Sequence, residues 1–396
     1  MAVICVIMAQ GQKLAYLDNN ATTAIDPAVL EAMRPFLDQL FANPSSGYSF
    51  AARVRDAIEH ARGQVAEMLE CEPSEIVFTS GGTESNNTAF HAALQTAPES
   101  RHVVTTAVEH SAVLRPAKDL ERHGYEVTFV GVDESGQLDL TELADAIRPD
   151  TALVSVMWAN NETGVIFPVK EIAQLAREKN VPFHTDAVQA AGKLEISLRD
   201  VSIQFLSISG HKLHAPKGIG ALYVNRRVRF RPLLLGGSHE NSRRAGTENA
   251  AAIVALGKAA ELARLRIQEE RVRLAKMRDR FEQAVVQKIS DARINGGAAE
   301  RLPNTSSMMF DGIESGAALL MLDQENICCS AGSACRTGSL QPSHVLTAMG
   351  LIGDQARGSL RFSFGRFNTD ADIDRALEAV PRVIGKLRAL SPALAN

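Results

Sequence analysis

The chain has 396 residues, 45% of them hydrophobic and 22% charged, which is enough apolar material for a large globular core. The formal net charge of -4 offers no basic field for a nucleic-acid backbone, so nucleic acid is excluded as a main partner. No apolar run approaches the roughly 18 residues that span a bilayer, and a membrane partner is excluded on that ground.

The cysteines indicate a reducing compartment. The sequence has 5 cysteines, an odd number without a CxxC pair, which suits neither a disulfide framework nor a zinc ribbon. Residues 1–15 form an N-terminal extension that lacks the basic leading segment of a secretory signal. We therefore expect a cytoplasmic protein.

Short apolar runs alternate with amphipathic stretches from residue 76 to residue 224, which is typical of β-α units that feed a mostly parallel sheet. The predicted strands cover residues 76–79, 102–105, 126–130, 152–157, 182–184, 205–208 and 220–224. The predicted helices between them cover residues 84–94, 111–123, 139–147 and 169–179. The predicted fold class is therefore α/β with a seven-stranded, mostly parallel sheet.

The second half of the chain has a different pattern. Residues 250–286 are rich in Ala, Leu, Arg and Glu and predict one or two long helices that bridge two domains. Further strands are predicted at 306–310 and 359–364, and further helices at 315–322 and 370–390. We expect a large domain over residues 16–262, whose first residues could pack on the other domain, and a smaller α+β domain over 263–396.

The strongest local signal is the stretch SISGHKLHAPKG, in which an apolar strand runs into small residues and then Lys212. Open α/β sheets bind their ligands at the carboxyl ends of the strands, which is where this lysine lies. Taken alone, the same stretch also fits a surface lysine.

Two further strand ends carry related chemistry. Asp186 follows the apolar run of VPFHTDAVQAAGK, and a buried carboxylate needs a cationic partner such as a protonated pyridine nitrogen, unless it only caps the next turn. In IVFTSGGTESNN a strand ends at Gly81, Gly82 and Thr83, where the N–H groups of a starting helix would bind phosphate, although a tight turn also fits. Together with Lys212, these features predict an enzyme that binds pyridoxal 5'-phosphate (PLP).

Short blocks along nearly the whole chain closely resemble the cysteine desulfurases of the class V aminotransferase-like family. The blocks are YLDNNATT (16–23), NPSS (43–46), TSGGTES (79–85), VEHSAVL (108–114), ANNETG (159–164), HTDAVQA (184–190), SGHKLHAPKG (209–218), RRAGTEN (243–249), SAGSACRTG (330–338) and RFSFGRF (361–367). The resemblance is closest to the nitrogenase-associated NifS type. It implies the fold type I of PLP-dependent transferases.

The resemblance also implies roles for residues around the cofactor ring. Lys212 would form the Schiff base, Asp186 would pair with the pyridine nitrogen, and Gln189 would hydrogen-bond the ring hydroxyl. His110 would stack over the ring and act in catalysis. Asn161 would lie beside the cofactor and the substrate.

The resemblance places the cofactor phosphate among Thr83, the backbone of Gly82, Ser209 and His211. It implies a homodimer in which Thr247 reaches the phosphate from the partner subunit.

Arg361 is expected to bind the carboxylate of L-cysteine, because a guanidinium offers a bidentate fork to a carboxylate and because an arginine within an apolar strand needs a partner. The alternative is an arginine that reaches solvent at a strand edge.

Cys335 lies in a stretch of small residues, beside Arg336, where a thiolate would be accessible. The resemblance implies that Cys335 takes the sulfur of L-cysteine as a persulfide while L-alanine is released. Cys328 and Cys329 follow an apolar run and are expected to pack rather than react.

We therefore expect a cysteine desulfurase that passes sulfur to a scaffold protein for iron–sulfur cluster assembly, in the service of nitrogenase. Cys335 would also be able to share a cluster ligand position with the scaffold. Open alternatives are a housekeeping desulfurase, a selenocysteine lyase and an aminotransferase on the same fold. A non-catalytic interaction protein is another, as is a metal-binding protein built on His211, His214, Cys328, Cys329 and Cys335.

Overall fold

The computed structural model describes residues 14–199, 201–331 and 342–390 of the chain. The strands in these ranges are β1 Ala15–Tyr16, β2 Ile76–Thr79, β3 His102–Thr106, β4 Glu126–Val130, β5 Thr151–Ser155, β6 Phe183–Asp186, β7 Phe205–Ser209, β8 Gly220–Val224, β9 Ala292–Ile294, β10 Thr305–Phe310, β11 Ile327–Cys328, β12 Ser330–Ala331 and β13 Ser359–Ser363. The α-helices are α1 Pro27–Met33, α2 Pro35–Asp38, α3 Ser49–Leu69, α4 Gly82–Thr96, α5 Ser111–Arg122, α6 Leu140–Ala146, α7 Val169–Glu178, α8 Ala250–Lys288, α9 Ser315–Gln324, α10 His344–Ala348, α11 Asp354–Arg357 and α12 Asp370–Leu390.

The largest sheet has seven strands in the order β2-β8-β7-β6-β5-β3-β4. Strands β3 to β7 pair in parallel, whereas β8 is antiparallel to both of its neighbours, β7 and β2. Because β8 runs against the others, the carboxyl ends of the remaining six strands meet at one edge of the sheet. The predicted α/β fold with a mostly parallel seven-stranded sheet is confirmed.

Strands β5, β6 and β7 are buried along their whole length, as expected for a parallel sheet that is covered on both faces. On one face, an apolar cluster includes Ala92 of α4 and Val113 of α5. On the other, a larger cluster includes residues of α3, α7 and the first half of α8. The two layers of helices fix the sheet edge at which the polar residues gather.

A second, four-stranded sheet has the order β12-β13-β10-β9 and is antiparallel throughout. It packs on α9, α12 and the second half of α8 in a separate apolar cluster. Ala15 and Leu17, which are far away in sequence, belong to the same cluster, and β1 pairs with β11. The boundary at residue 262 between two domains stays a prediction.

Several elements differ from the sequence prediction. The helix α3 was not predicted, although its buried residues Val54, Ile58, Val65 and Leu69 recur on one helical face. The strands β1, β9, β11 and β12 have only two or three residues, too few to show a period. The stretch after residue 250 forms one continuous helix of 39 residues.

No helix among the described residues is both long and apolar enough to cross a membrane.

Candidate active site

Three glycines bring two strand ends into close contact at the sheet edge. A Cβ on Gly220 would lie 2.6 Å from the Ile208 carbonyl oxygen and 2.7 Å from the Gly81 Cα. A Cβ on Gly82 would lie 2.8 Å from the Val188 side chain and 3.5 Å from the Ser209 Cβ. The missing side chains leave a bare backbone cradle at the start of α4, facing Ser209.

The first turn of α4 is also held electrostatically. The Glu84 carboxylate accepts hydrogen bonds from the Ser80 N–H at 2.8 Å and the Arg244 Nε at 3.0 Å. Burial alone would raise the pKa of Glu84, but these bonds hold it below its usual range. Thr83, the second residue of α4, is exposed. The backbone N–H groups of this turn are the ordinary protein ligand for phosphate.

Asp186 ends β6 and is 6% exposed. Its Oδ2 accepts a hydrogen bond of 2.7 Å from Asn86 Nδ2, and its Oδ1 accepts one of 3.0 Å from the Val188 N–H. The two donors orient the carboxylate at the predicted position. The sequence interpretation missed Asn86. Its only signal is that an asparagine lies on the buried face of the helix whose start is predicted to bind phosphate.

Lys212 and Gln189 meet at the segment that follows β1. The Lys212 Nζ donates to the Asn20 carbonyl oxygen at 2.5 Å and to the Ala21 carbonyl oxygen at 2.6 Å. The Gln189 Nε2 donates to the same Asn20 oxygen at 2.9 Å. The two side chains therefore share one acceptor, and the role of Asn20 could not be read from the motif YLDNNATT.

His110 caps the start of α5. Its Nδ1 accepts a hydrogen bond of 3.1 Å from the Ala112 N–H, so the proton of the neutral ring is on Nε2. Burial lowers the pKa of His110, the Asp186 charge opposes this, and the Lys212 and His344 charges add to it. Because these charges act on one imidazole, His110, Asp186 and Lys212 belong to one site.

The sequence analysis named only one of the two further histidines that lie beside these residues. His211 makes a 3.2 Å contact from Nδ1 to the Thr22 Oγ1, and burial together with the nearby Lys212 charge lowers its pKa to about 4. It is neutral at pH 7 and has one N–H to donate. His344, which the sequence did not single out, donates from Nε2 to the Glu109 carbonyl oxygen at 2.9 Å.

Glu109 is a completely buried carboxyl group next to His110 in the chain. Its Oε1 accepts hydrogen bonds from the Thr106 Oγ1 at 2.8 Å and the Met157 N–H at 2.9 Å. Its Oε2 has no partner among the described residues. Burial, together with the negative charge of Asp186, raises the pKa of Glu109 to about 8 against the effect of these bonds.

Arg361 lies in the middle of β13 in the four-stranded sheet and is 2% exposed. Its Nη2 pairs with Asp18 Oδ1 at 2.7 Å, and its Nη1 donates to the Asn161 carbonyl oxygen at 3.0 Å. Its Nε is buried and has no partner within the described ranges. The guanidinium is therefore held in place by two of its five N–H groups, and the N–H on Nε is among those still available. The alternative of an arginine that reaches solvent is wrong.

Glu162 follows Asn161 and is also buried. Burial raises its pKa to about 7, which a hydrogen bond from the Ser343 Oγ and the positive charge of Arg361 oppose. The Ser343 Oγ lies 2.5 Å from Glu162 Oε2. This contact joins the start of α10 to the turn beside Arg361.

One predicted site residue that the structure describes, Thr247, is not brought into this group. Thr247 is exposed, and no hydrogen bond joins it to the cradle in the part of the chain that the structure describes. Cys335 lies outside the described residues. Ser330, five positions earlier in the sequence, is in register with Arg361 across β12 and β13.

Cys328 and Cys329 behave as packing residues. Burial raises the pKa of both thiols, and Cys329 packs against the cluster of the four-stranded sheet. Across residues 14–199, 201–331 and 342–390, no group of three or more His, Cys, Asp or Glu side chains is placed to hold a metal ion.

The chain matches the family model described as aminotransferase class-V over residues 15–376. It is 53% identical over 377 residues to a cysteine desulfurase of Nostoc sp., covering 95% of this chain and 94% of that protein. It is 49% identical over 378 residues to the cysteine desulfurase NifS of Azotobacter vinelandii, with 95% and 94% covered. A solved structure of a NifS-like protein superposes with a TM-score of 0.89 at 36% identity, covering 94% of this chain and 100% of that one.

Proposed function

This chain belongs to the aminotransferase class-V family and is a PLP-dependent cysteine desulfurase, and from that premise we propose that it moves the sulfur of L-cysteine onto Cys335 and hands it to an iron–sulfur scaffold protein. The observation that carries the proposal is that the ends of β2, β6 and β7 bring the cradle, Asp186 and Lys212 to one sheet edge, with Arg361 facing them across residues 18–23.

The residues at this edge fit the cofactor. The cradle of Gly82 and Ser209, with Thr83 and His211, would hold the phosphate, because bare N–H groups and neutral donors suit an anion. Asp186, already fixed by two donors, would hold a protonated ring nitrogen. When bound, PLP supplies an electron sink next to the substrate α-carbon.

Arg361 would bind the carboxylate of L-cysteine. Its Nε is buried without a partner, and a carboxylate that approached this edge would satisfy it. Asp18 and the Asn161 carbonyl oxygen keep the guanidinium in place, so the substrate meets a preformed fork. The Lys212 amine would then take the α-proton as general base.

The sulfur step is a displacement at the substrate sulfur. The Cys335 thiolate attacks this sulfur, the new S–S bond forms as the Cβ–S bond breaks, and the electron pair stays with the substrate carbon, which is protonated to give L-alanine. His110 would exchange a proton with the substrate through Nε2, since its Nδ1 is occupied by the Ala112 N–H. Ser330, which is opposite Arg361, lies five positions before Cys335 in the sequence, and this register supports the proposal.

The persulfide can be tested directly by mass spectrometry. Purified protein is mixed with L-cysteine without reductant, and L-alanine is assayed in parallel. We expect about 32 Da of added mass, one sulfur, on the peptide that carries Cys335. Cys335→Ser should abolish both the added mass and alanine release, whereas the matched Cys328→Ser variant should keep both. Alanine release at the wild-type rate by Cys335→Ser would refute the role of Cys335.

We place Thr247 at the phosphate of a partner subunit in a homodimer. Its exposure supports this. Heterodimers that combine a Lys212→Ala subunit with a Thr247→Ala subunit test the arrangement. A sedimentation measurement that found only monomers at assay concentration would contradict it.

Nitrogenase is the proposed destination of the sulfur, in the cytoplasm, with Cys335 able to act as a shared cluster ligand during transfer. The relative from Azotobacter vinelandii named NifS supports this. The alternatives are a housekeeping desulfurase and a selenocysteine lyase. Transfer of ³⁵S from loaded enzyme to a nitrogenase-type and a housekeeping-type scaffold would distinguish a nitrogenase-dedicated desulfurase from a housekeeping one. The ratio of turnover with cysteine and with selenocysteine would distinguish a cysteine desulfurase from a selenocysteine lyase.

A further inference from the structure

A second lysine lies beside the proposed cofactor site. Lys193 follows Gly192, whose φ is +72° and whose Cβ would collide with Leu213 at 2.4 Å. Only glycine fits this tight turn, and the turn folds the chain back so that Lys193 reaches Gln189, four residues earlier. The Lys193 N–H is itself bound to the Ala190 carbonyl oxygen at 2.9 Å.

The Lys193 ammonium makes two hydrogen bonds to the same residue. Its Nζ donates to the Gln189 carbonyl oxygen at 2.9 Å and to Gln189 Oε1 at 3.1 Å. A lysine has donors only, so the side-chain oxygen of Gln189 must face it. The Gln189 Nε2 then faces the Asn20 carbonyl oxygen, which accepts one of its two N–H groups at 2.9 Å.

The second N–H of Gln189 has no hydrogen-bond partner in the described part of the chain, although the residue is only 5% exposed. An amide flipped the other way would set two oxygens against each other at Asn20 and two donors against each other at Lys193. The orientation of the Gln189 amide is therefore fixed from both sides: the Asn20 carbonyl oxygen faces its nitrogen, and the Lys193 ammonium faces its oxygen.

Lys193 lies at the centre of this arrangement. It lines, together with Lys212 and Asn19, a cavity of about 30 Å³. Burial, together with the nearby positive charges of Lys212 and Arg361, lowers the pKa of Lys193 to about 7. A cation in such a place destabilises the protein unless its hydrogen bonds repay the burial.

We infer that Lys193 is a positioning residue that locks the Gln189 amide so that its remaining N–H points to the oxygen on the cofactor ring. The inference rests on the proposed function, since it needs PLP at this sheet edge. Lys193 touches neither substrate nor cofactor; it acts through Gln189.

The test measures cofactor binding rather than turnover alone. Apoenzyme is titrated with PLP, and the dissociation constant and the absorbance band of the bound cofactor are recorded. For Lys193→Met we expect the dissociation constant to rise about tenfold, as for the loss of one buried hydrogen bond, and the band to shift. The exposed Lys179→Met variant is the matched control and should match wild type in both.

A double-mutant cycle separates positioning from a general structural effect. In the Gln189→Ala background, Lys193→Met should change the dissociation constant by less than about twofold, because its target is gone. Gln189→Glu, which keeps the acceptor for Lys193 but loses the donor, should reproduce the band shift even where Lys193→Met folds poorly. A tenfold effect of Lys193→Met in the Gln189→Ala background would overturn the inference, as would wild-type binding and band in Lys193→Met or in Gln189→Glu.

Different results would contradict the proposed function and the positioning role of Lys193. If wild-type apoenzyme did not bind PLP at all, the proposed function would fail. If wild type bound PLP and released alanine while all the Lys193 and Gln189 variants behaved like wild type, only the positioning role would fail.

Discussion

The two sides of the site are built in different ways. On the side of the seven-stranded sheet, Asp186 ends a strand, Lys212 lies in the turn after the next strand, and Gly82 starts the helix after a third. On the side of the four-stranded sheet, Arg361 lies within a strand and depends on Asp18 and Asn161, which are hundreds of positions away. The cofactor side therefore follows from topology, whereas the substrate side exists only through long-range contacts.

The segment between the two sides joins them. Asp18 holds Arg361, and two residues later Asn20 accepts hydrogen bonds from both Lys212 and Gln189. A displacement of this short segment would therefore disturb both sides at once. Single substitutions can still separate them, because each side has its own residues.

The largest effect is expected on the cofactor side. Lys212→Ala removes the general base and should lower alanine production more than about 10³-fold. An alanine assay with cofactor in excess checks this, and circular dichroism confirms the fold. Turnover within tenfold of wild type would show that another residue takes the α-proton.

The substrate side should respond through KM. Arg361→Lys keeps the charge but loses the planar fork, so we expect KM for L-cysteine to rise about 30-fold with a smaller change in kcat. Arg301→Lys, in the buried pair of Arg301 with Glu282, is the matched control and should keep the wild-type KM. A fall in kcat at unchanged KM would assign Arg361 a structural role instead.

A smaller effect should follow from loosening Asp186. Asn86→Ala removes one of the two donors to this carboxylate, and kcat/KM should fall about tenfold, the cost of one hydrogen bond to a charged group. The absorbance band of the bound cofactor should shift as well. Gln95, which is exposed on the same helix, provides the control, Gln95→Ala. Equal kcat/KM in the two variants would mean that the Val188 N–H alone holds Asp186.

The smallest effect on turnover is expected from Glu109→Gln, which should change stability instead. The folded-state pKa of about 8 lies above the unfolded value, so wild type gains stability from this group below about pH 4.5 and loses it as pH rises towards 8. Glutamine cannot titrate. The variant should therefore become more stable than wild type as pH rises through this window, by on the order of 3 kcal/mol at pH 7.

Urea unfolding of both proteins between pH 4.5 and pH 8 checks this difference. Other buried groups titrate in the same range, among them Glu162, and they cancel when the two proteins are compared. A constant difference in the free energy of unfolding across the window would contradict a raised pKa of Glu109.

The sequence determined the α/β class, the seven-stranded sheet and its strand ends. Runs such as 76–79 and 220–224 matched the observed strands because a fully buried strand is mostly apolar along its length, which is a local signal. The positions of Lys212, Asp186 and Gly82 relative to their strands are local in the same sense. The positions of Arg361, His110 and Gln189 could also be named, but only from the resemblance to a family.

Only the tertiary structure decided how these residues are held. Asn86, Asn20 and Asp18 contact site residues through pairings that no periodicity encodes, because a hydrogen bond across 169 or 343 positions leaves no trace in either segment alone. The raised pKa of Glu109 depends on burial by several elements at once. Local sequence fixes which groups stand at a strand end; three-dimensional packing fixes their partners, their orientation and their charge.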